Sequence, residues 1–430
     1  MSERRKLTTE SGQLQTCVSG RYRPSKVMRD SLDLERFLVP LAVAATLSVA
    51  AAFSLPAVAF AASFQGLGVL PGGEYPYSKA SDISADGSVV VGESLSANGL
   101  EAFRWTQATG MLGIGYLGGE EASSSALGVS SNGDVIVGAS RSPSSGTGVE
   151  AFRWTQATGM VGMGYLPGGV SSSAASRVSD DGSVVTGAST SDLSPSFGEA
   201  FRWTESSGLA GLGVLVADGG SVPWGISGDG TAIVGWAFSE NGREAFRWTE
   251  SDGLVGMGDL PEGGFDSWAT SVSVDGRVIA GMALNPGQTS FRWTAETGMV
   301  DLSRPAGGNY SQAWGMSADG SVVVGEAGVA GERVPAIWTQ ETGMRNLVDV
   351  LVELGLADAI EGWDLEQATT ISADGLTVVG SGFNPAGDEE AWIAHLGAPS
   401  LIEIPTASNT ALTALAALLA LAGVAQLRLR

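Results

Sequence analysis

Aromatic side chains and carboxylates lie together in the segments that separate a series of sequence repeats. Flat aromatic rings stack on apolar surfaces, and carboxylates accept hydrogen bonds from hydroxyls or amides, so the combination is typical of a glycan or peptide site. These segments differ from one repeat to the next, as an asymmetric site requires. The candidate ligand-binding residues are Tyr75, Tyr77, Trp224, Phe265, Asp266, Trp268, Tyr310, Trp314, Trp363, Asp364 and Glu366.

Two alternatives stand beside this interpretation. Trp224 and Trp314 occupy equivalent places, each three residues before a serine, and the alternative is that such rings plug a central channel. A glycan-cleaving enzyme is the other alternative, with two rim carboxylates drawn from Asp266, Asp364 and Glu366 and one pKa raised by aromatic surroundings. Acidic pairs are abundant in this chain, so noncatalytic binding is the primary hypothesis.

Other common chemistries lack their motifs. There is no Gly-x-Ser-x-Gly or His-Glu-x-x-His sequence, and His395 is the single histidine. Asp-Gly pairs such as Asp86-Gly87 lack the series of oxygen ligands of a calcium loop. Gly72-Gly73 has no Lys-Ser/Thr after it, so it is not a phosphate cradle. The sequence therefore predicts no catalytic residue, metal or cofactor.

The repeats are marked by the motif Glu-Ala-Phe-Arg-Trp-Thr. Its tryptophans are separated by 49, 49, 45, 45 and 45 residues, and Glu390-Ala391-Trp392 begins a weaker seventh copy. A period in the 40s is typical of stacked supersecondary units that bury their apolar faces against one another. The motif tryptophans are Trp105, Trp154, Trp203, Trp248, Trp293 and Trp338.

Each repeat contains four apolar stretches of strand length. Asp86-Gly87 lies between the first two stretches, and Asp-Gly or Asn-Gly recurs there in every copy, as in a tight hairpin turn. Four antiparallel strands in about 45 residues form the blade of a β-propeller. The seven turns predict an all-β fold with seven four-stranded antiparallel blades over residues 62–397.

The ends of the repeat region are out of phase, which predicts how the ring closes. Phe64–Leu70 resembles a fourth strand without its first three, whereas the region ends at Leu396 on a third strand. Pairing these two segments removes the open edges of a linear stack. The rival architecture, an open β-solenoid, does not need such ends.

Within the motif, period-2 alternation assigns the phenylalanine and tryptophan to the core. The repeated arginines, such as Arg104, allow two interpretations. They form a ring that binds an anion, or each arginine bridges two blades through carboxylates and backbone carbonyls. The last repeat carries an insert, Leu347–Leu356, with apolar residues at helical spacing, which predicts a short helix.

The flanks predict export. Residues 1–61 consist of a basic leader, the only cysteine (Cys17) and an apolar run ending in an Ala-x-Ala-like cleavage site, as in an N-terminal signal helix. Residues 398–410 are predicted as a linker and residues 411–430 as a C-terminal transmembrane helix or sorting tail, with Arg428 and Arg430 retained on the cytoplasmic side. The protein is thus predicted to be exported and anchored at the cell surface.

The chain is strongly acidic, with a formal net charge of −23. Eight of its 23 basic residues precede residue 37, so the repeat region is more acidic still. Nucleic acid would be repelled rather than bound through counterion release. The predicted partners of this monomer are an extracellular glycan, peptide or matrix component, and the membrane.

The repeat resembles the HAF-type probable extracellular repeat, in which Ala-Phe-Arg-Trp-Thr, a Gly-Met turn, Leu-Gly-x-Leu-x-Gly-Gly, Ser-x-Ala and Ser-x-Asp-Gly-x-Val-Val-Gly follow one another. Residues 64–396 match it repeatedly. The tail from Ile404-Pro405-Thr406 onward resembles the C-terminal sorting signals of the PEP-CTERM and IPTL-CTERM kind. The resemblances imply a secreted propeller of undefined activity and, as a further partner, a membrane protease-transpeptidase that reads the tail.

Overall fold

The computed structural model describes residues 61–118, 122–146, 148–194, 196–261, 263–284 and 287–397. They form seven four-stranded antiparallel sheets. The innermost, second and third strands of each blade follow in chain order, and the outermost strand comes fourth in six blades. The predicted seven-bladed β-propeller is confirmed. The predicted signal peptide, up to residue 60, and the C-terminal tail lie outside the described residues.

The first four blades run consecutively along the chain. Blade 1 contains β2 (Ser78–Ile83), β3 (Val89–Ser96), β4 (Gly99–Thr106) and β5 (Gly110–Gly113). Blade 2 contains β6 (Ser124–Val129), β7 (Val135–Ser140), β8 (Glu150–Thr155) and β9 (Gly159–Gly162). Blade 3 contains β10 (Gly168–Val178), β11 (Val184–Ser191), β12 (Glu199–Thr204) and β13 (Gly208–Gly211). Blade 4 contains β14 (Ser221–Ile226), β15 (Ala232–Ser239), β16 (Gly242–Thr249) and β17 (Gly253–Gly256).

The remaining blades include the closing one. Blade 5 contains β18 (Ser267–Val272), β19 (Val278–Leu284), β20 (Gln288–Thr294) and β21 (Gly298–Asp301). Blade 6 contains β22 (Gly308–Met316), β23 (Val322–Val329), β24 (Glu332–Thr339) and β25 (Gly343–Asn346). Blade 7 contains β26 (Asp364–Ile371), β27 (Thr377–Phe383), β28 (Glu389–His395) and, as its outer strand, β1 (Ser63–Gly66).

The N-terminal strand closes the ring. Strand β1 pairs antiparallel with β28, so that Ser63 lies opposite His395 and Gly66 opposite Trp392. The Leu67 amide continues the pairing with a 2.8 Å hydrogen bond to the Ala391 carbonyl. The predicted closure is confirmed. An open solenoid does not account for this pairing, because the outer strand of the last blade comes from the beginning of the chain.

The core lies between adjacent blades. The phenylalanine of the repeated motif is completely buried in the five blades that contain it, and Trp392 takes its place in blade 7. Phe201, for example, packs with Val137 of blade 2 and Val185 of its own blade. The motif phenylalanines are therefore confirmed as core residues. Of the motif tryptophans, two are buried and four are partly buried against the core clusters; the buried two are Trp105 and Trp338. The five buried rings belong to Phe103, Phe152, Phe201, Phe246 and Phe291.

The polar residues of the repeat join neighbouring blades. The Ser78 hydroxyl donates to the Gly68 carbonyl at 2.8 Å and accepts from the Ala391 amide at 3.0 Å. Because each serine satisfies two backbone groups of the preceding blade, it fixes how the blades meet. Equivalent serines make the same pair of bonds at Ser124, Ser173, Ser221, Ser267 and Ser311.

The repeated arginines also bridge blades. Arg292 Nε donates to the Gly320 carbonyl of the next Asp-Gly turn at 3.1 Å. Arg104, Arg153 and Arg202 make the corresponding contacts at 3.4–3.5 Å, which are weak hydrogen bonds. These contacts match the bridging interpretation rather than an anion-binding ring.

The predicted helix is confirmed as α1 (Leu347–Glu353). Asn346 caps it, because its side chain accepts a hydrogen bond from the Val348 amide at 2.9 Å. Leu347 and Leu351 are completely buried in the core cluster that also contains Trp392. Among the helices of the described residues, none is both long enough and apolar enough to cross a membrane.

Candidate functional site

The two faces of the propeller differ in character. One face, here the Asp–Gly face, carries the seven similar turns, and a closed ring of backbone hydrogen bonds of 2.9–3.1 Å surrounds the axis there. The other, here the variable face, carries the connections between blades and the hairpins between second and third strands. The ring passes through Ala85, Ser131, Asp180, Gly228, Val274, Ala318 and Ala373.

An arginine contacts two indole rings on the variable face of blades 4 and 5. The Arg243 guanidinium carbon is 4.1 Å from the ring centroid of Trp268 and 5.8 Å from that of Trp236. Asp266 accepts a bidentate pair of hydrogen bonds from Arg243, at 2.8 Å from Nε and 3.1 Å from Nη2. Such a planar fork fixes the guanidinium in position.

Further rings extend this group on both sides. Phe238 contacts Trp236 edge to face at 5.3 Å and Phe197 at 5.0 Å. Phe197 is 55% exposed and Phe265 is 39% exposed, although large apolar side chains are usually covered. We call this group the aromatic cradle, defined as Phe197, Trp236, Phe238, Arg243, Phe265, Asp266 and Trp268.

The backbone of the cradle is specialised at Phe265, which has a positive φ of 54°. This conformation is unusual for a bulky residue and is concentrated at functional sites. Gly242 allows the loop to approach, because a Cβ there would lie 2.5 Å from the Phe265 carbonyl oxygen. The strained loop thus sets an exposed ring beside the Arg243–Asp266 ion pair.

The sequence prediction contains only part of the cradle. Phe265, Asp266 and Trp268 are among the predicted residues, and the structure brings them together. Four members were not predicted, because they lie in second and third strands and in a hairpin rather than in the connections between blades. These members are Phe197, Trp236, Phe238 and Arg243.

Trp224 and Trp314 lie apart from the cradle, in the central channel. Their ring centroids are 5.7 Å apart, and the ring planes are tilted by 33°. Both side chains line a channel cavity of about 190 Å³. The structure therefore places these two rings where the channel interpretation expects them.

Tyr310 and Glu366 belong to a second polar cluster, at blades 6 and 7. Arg333 lies 3.8 Å from the carboxylate of Glu326 and 3.8 Å from that of Glu366. Burial raises the pKa of Glu326, and the positive charge of Arg333 opposes this effect. Burial and the nearby Glu326 raise the pKa of Tyr310. Asp364 is exposed at the start of its strand.

The other predicted residues lie near the ring closure. The Tyr77 hydroxyl donates to Glu93 at 2.8 Å, and burial and this carboxylate raise its pKa. Tyr75 is 58% exposed. Trp363 packs edge to face on Phe64 of the closing strand, with centroids 5.3 Å apart.

Possible metal ligands do not cluster in the part of the chain that the structure describes. It contains no group of three or more His, Cys, Asp or Glu side chains placed to hold a metal ion. His395 Nδ1 lies 2.8 Å from the Thr377 hydroxyl, a contact between adjacent strands of blade 7. The histidine therefore has a structural partner.

No family model and no curated protein matches this chain. Among solved structures, it is similar to TolB from Acinetobacter baumannii, with 15% identity, a TM-score of 0.39 and coverage of 61% of this chain and 64% of that one. The chain thus matches less than two thirds of the length of that protein.

Two further structures cover more of the chain. The Myceliophteria thermophila Cps50 (Swd1) β-propeller domain is 10% identical with a TM-score of 0.45, covering 77% of this chain and 99% of that one. The oligogalacturonate lyase of Vibrio parahaemolyticus is 11% identical with a TM-score of 0.47, covering 78% and 97%. At these identities a likeness concerns the fold alone and assigns no activity.

Proposed function

We propose that this protein is an exported, noncatalytic module that binds an uncharged extracellular glycan in the aromatic cradle. The observation that carries the proposal is the Arg243 guanidinium, which contacts the indoles of Trp268 and Trp236 and is fixed by Asp266. Flat rings stack on sugar faces, while the ion pair presents donors and acceptors for hydroxyl groups side by side.

Charge favours an uncharged ligand. The chain carries a formal net charge of −23, so an acidic polymer would meet long-range repulsion. Within the cradle, Arg243 and Asp266 neutralise each other through the bidentate ion pair. A neutral glycan avoids both the repulsion and the cost of desolvating a net charge.

The geometry of the cradle also favours binding over cleavage. Glycoside hydrolysis needs one carboxylic acid that holds a proton near neutral pH and a second carboxylate nearby. Both Asp266 oxygens accept hydrogen bonds from the Arg243 guanidinium, at 2.8 Å and 3.1 Å, and no second carboxylate belongs to the cradle. It therefore suits the task of orienting hydroxyl groups better than that of donating a proton.

The alternative, a glycan-cleaving enzyme, is supported by the cluster of blades 6 and 7. Glu326 is buried with a raised pKa, as a general acid requires, and Glu366 shares the Arg333 guanidinium with it. An assay for cleavage of any glycan that binds distinguishes the two hypotheses. New reducing ends that disappear in Glu326→Gln would favour the enzyme and contradict the noncatalytic proposal.

Trp268→Ala is expected to weaken glycan binding on the order of 10- to 100-fold, because the loss of a stacked ring costs about 1–3 kcal/mol. The full-length protein in mild detergent is first screened on a glycan array, and the affinity for the best glycan is then measured by calorimetry. Arg243→Lys is expected to weaken the same interaction, because a lysine keeps the charge but loses the planar fork.

Tyr75→Ala is the matched control, because it removes an exposed ring from the same face outside the cradle. We expect this variant to keep both the affinity and the melting temperature. A Trp268→Ala protein that melts much earlier but binds the glycan with unchanged affinity would contradict the proposal. In that case the cradle is part of the packing and the ligand binds elsewhere.

The export part of the proposal rests on the sequence of the two ends and on the HAF-type resemblance. Full-length protein is expected in the membrane fraction, whereas truncation after Pro399 is expected to release it in soluble form, because residues 411–427 are almost wholly apolar. Fractionation of cells followed by mass spectrometry of the C-terminus measures this. Soluble full-length protein with an intact tail would contradict the anchor.

A further inference from the structure

The inner strands of the blades place two opposite charges in the central channel. Every inner strand contains a bulge, and the residue that follows it is charged in blades 1 and 3 alone. The fold does not require charge there, because the other five blades use small uncharged residues. In blade order the seven residues are Asp82, Gly128, Arg177, Gly225, Ser271, Gly315 and Thr370.

The two charged side chains hold the same stretch of blade 2 from either side. Asp82 Oδ2 accepts a 3.0 Å hydrogen bond from the Val129 amide. Arg177 Nη1 donates to the Leu127 carbonyl at 2.6 Å. Because only Gly128 separates these two backbone contacts, the carboxylate and the guanidinium lie in one neighbourhood. Both side chains line the channel cavity.

Blades 4 and 6 each contribute one tryptophan to the channel. Trp224 and Trp314, with ring centroids 5.7 Å apart, line the same cavity as Asp82 and Arg177. In the closed ring of seven blades, blade 4 adjoins blade 3, and blade 6 lies across the axis from blades 2 and 3. The lining of the cavity therefore combines a carboxylate, a guanidinium and two indole rings.

The cavity is accessible and of molecular size. Its lining reaches Asp180 and Val274 on the Asp–Gly face, and both residues are exposed to solvent. Its volume is about 190 Å³. An engineered apolar cavity of about 150 Å³ holds a benzene molecule, so this space fits a ligand of similar or slightly larger size.

We propose that the channel binds a free α-amino acid, with its ammonium group at Asp82, its carboxylate at Arg177 and its side chain against Trp224 and Trp314. A zwitterion matches two opposite charges placed side by side, whereas a ligand of one charge would face a like charge. Placing charged groups inside a fold costs stability, so packing alone gives weak reason for these two side chains.

The state of Asp82 agrees with this assignment. Burial raises the pKa of its carboxyl group, and the charge of Arg177 and the Val129 amide oppose the rise only in part. An ammonium ligand at this position would replace the missing solvation of the carboxylate. The site is separate from the glycan site, because the cradle residues do not line this cavity.

The test is calorimetry on full-length protein with L-leucine as the probe. Leucinamide lacks the carboxylate and 4-methylpentanoic acid lacks the ammonium group, so both analogues are expected to bind at least about tenfold more weakly than leucine. Asp82→Asn and Arg177→Gln are expected to weaken leucine binding by a similar factor. Trp268→Ala, which changes the cradle, is expected to leave it unchanged.

Three results would overturn the proposal. The first is equal binding of leucine and both analogues by the unmodified protein, and the second is unchanged leucine binding in Asp82→Asn. The third is the absence of binding for L-leucine, L-valine and L-alanine alike. The analogue series decides the matter even where a variant does not fold, because it uses the unmodified chain. A failed glycan screen would leave these outcomes unaffected.

Discussion

Deletion of residues 63–70 is expected to abolish soluble folded protein, the largest effect of any change considered for this chain. The deletion removes strand β1 and exposes the edge of β28, which includes the buried Trp392. It also removes Leu67 and Leu70, each 5% exposed. Burial of one leucine contributes about 1.5–3 kcal/mol, so the two together approach the lower end of the 5–15 kcal/mol by which native proteins are stable.

The measurement is the soluble yield and the thermal unfolding of the deletion variant. The matched control is truncation after Gly397, which removes a stretch from the other end of the chain but leaves every described strand in place. We expect the control to fold with an unchanged melting temperature, whereas the deletion leaves an unpaired edge that aggregates. A deletion variant that melts like the intact protein would show that the ring does not depend on this strand.

The architecture was predictable because every blade repeats the same local signals. The Asp-Gly turns fix each hairpin, and the motif phenylalanine fixes which face of the third strand is buried. The closure was predictable for a different reason. A lone fourth strand at one end and a missing fourth strand at the other end complement each other only in a ring, and β1 pairs with β28 accordingly.

The candidate site was only partly predictable, because it combines residues of three blades. Trp236 lies in a second strand, at the position where blades 2 and 3 have Ala139 and Ala188. This departure from the repeat is a signal that was available in the sequence. The contacts of Arg243 were not available, since Asp266 and Trp268 belong to the next blade, and only the docking of blades brings them together.

The channel was the least predictable part. Trp224 and Trp314 have equivalent positions in blades 4 and 6, but their contact at 5.7 Å depends on the curvature of the whole ring. The same holds for Asp82 and Arg177, which are 95 residues apart in the sequence and line one cavity. Sequence spacing alone does not show which residues of the inner strands line one cavity in a closed ring.

Phe201→Ala is expected to destabilise the propeller by about 3–5 kcal/mol, the cost of replacing a completely buried phenylalanine with alanine. At about 2 °C per kcal/mol, this lowers the melting temperature by about 6–10 °C. The next residue of the motif is the matched control. Arg202 contacts the Gly230 carbonyl at 3.5 Å, so Arg202→Ala is expected to cost about 1 kcal/mol or less.

The pair tests whether the repeated motif is structural, and differential scanning calorimetry measures both variants. Phe201 packs between blades 2 and 3, away from the cradle, so the folded fraction of Phe201→Ala is expected to bind glycan with full affinity. A larger loss of stability in Arg202→Ala would contradict this division of roles. Because the motif residues make nearly the same contacts in each blade, they cannot specify an asymmetric ligand. Recognition therefore depends on residues that depart from the repeat, such as Arg243 and Trp236.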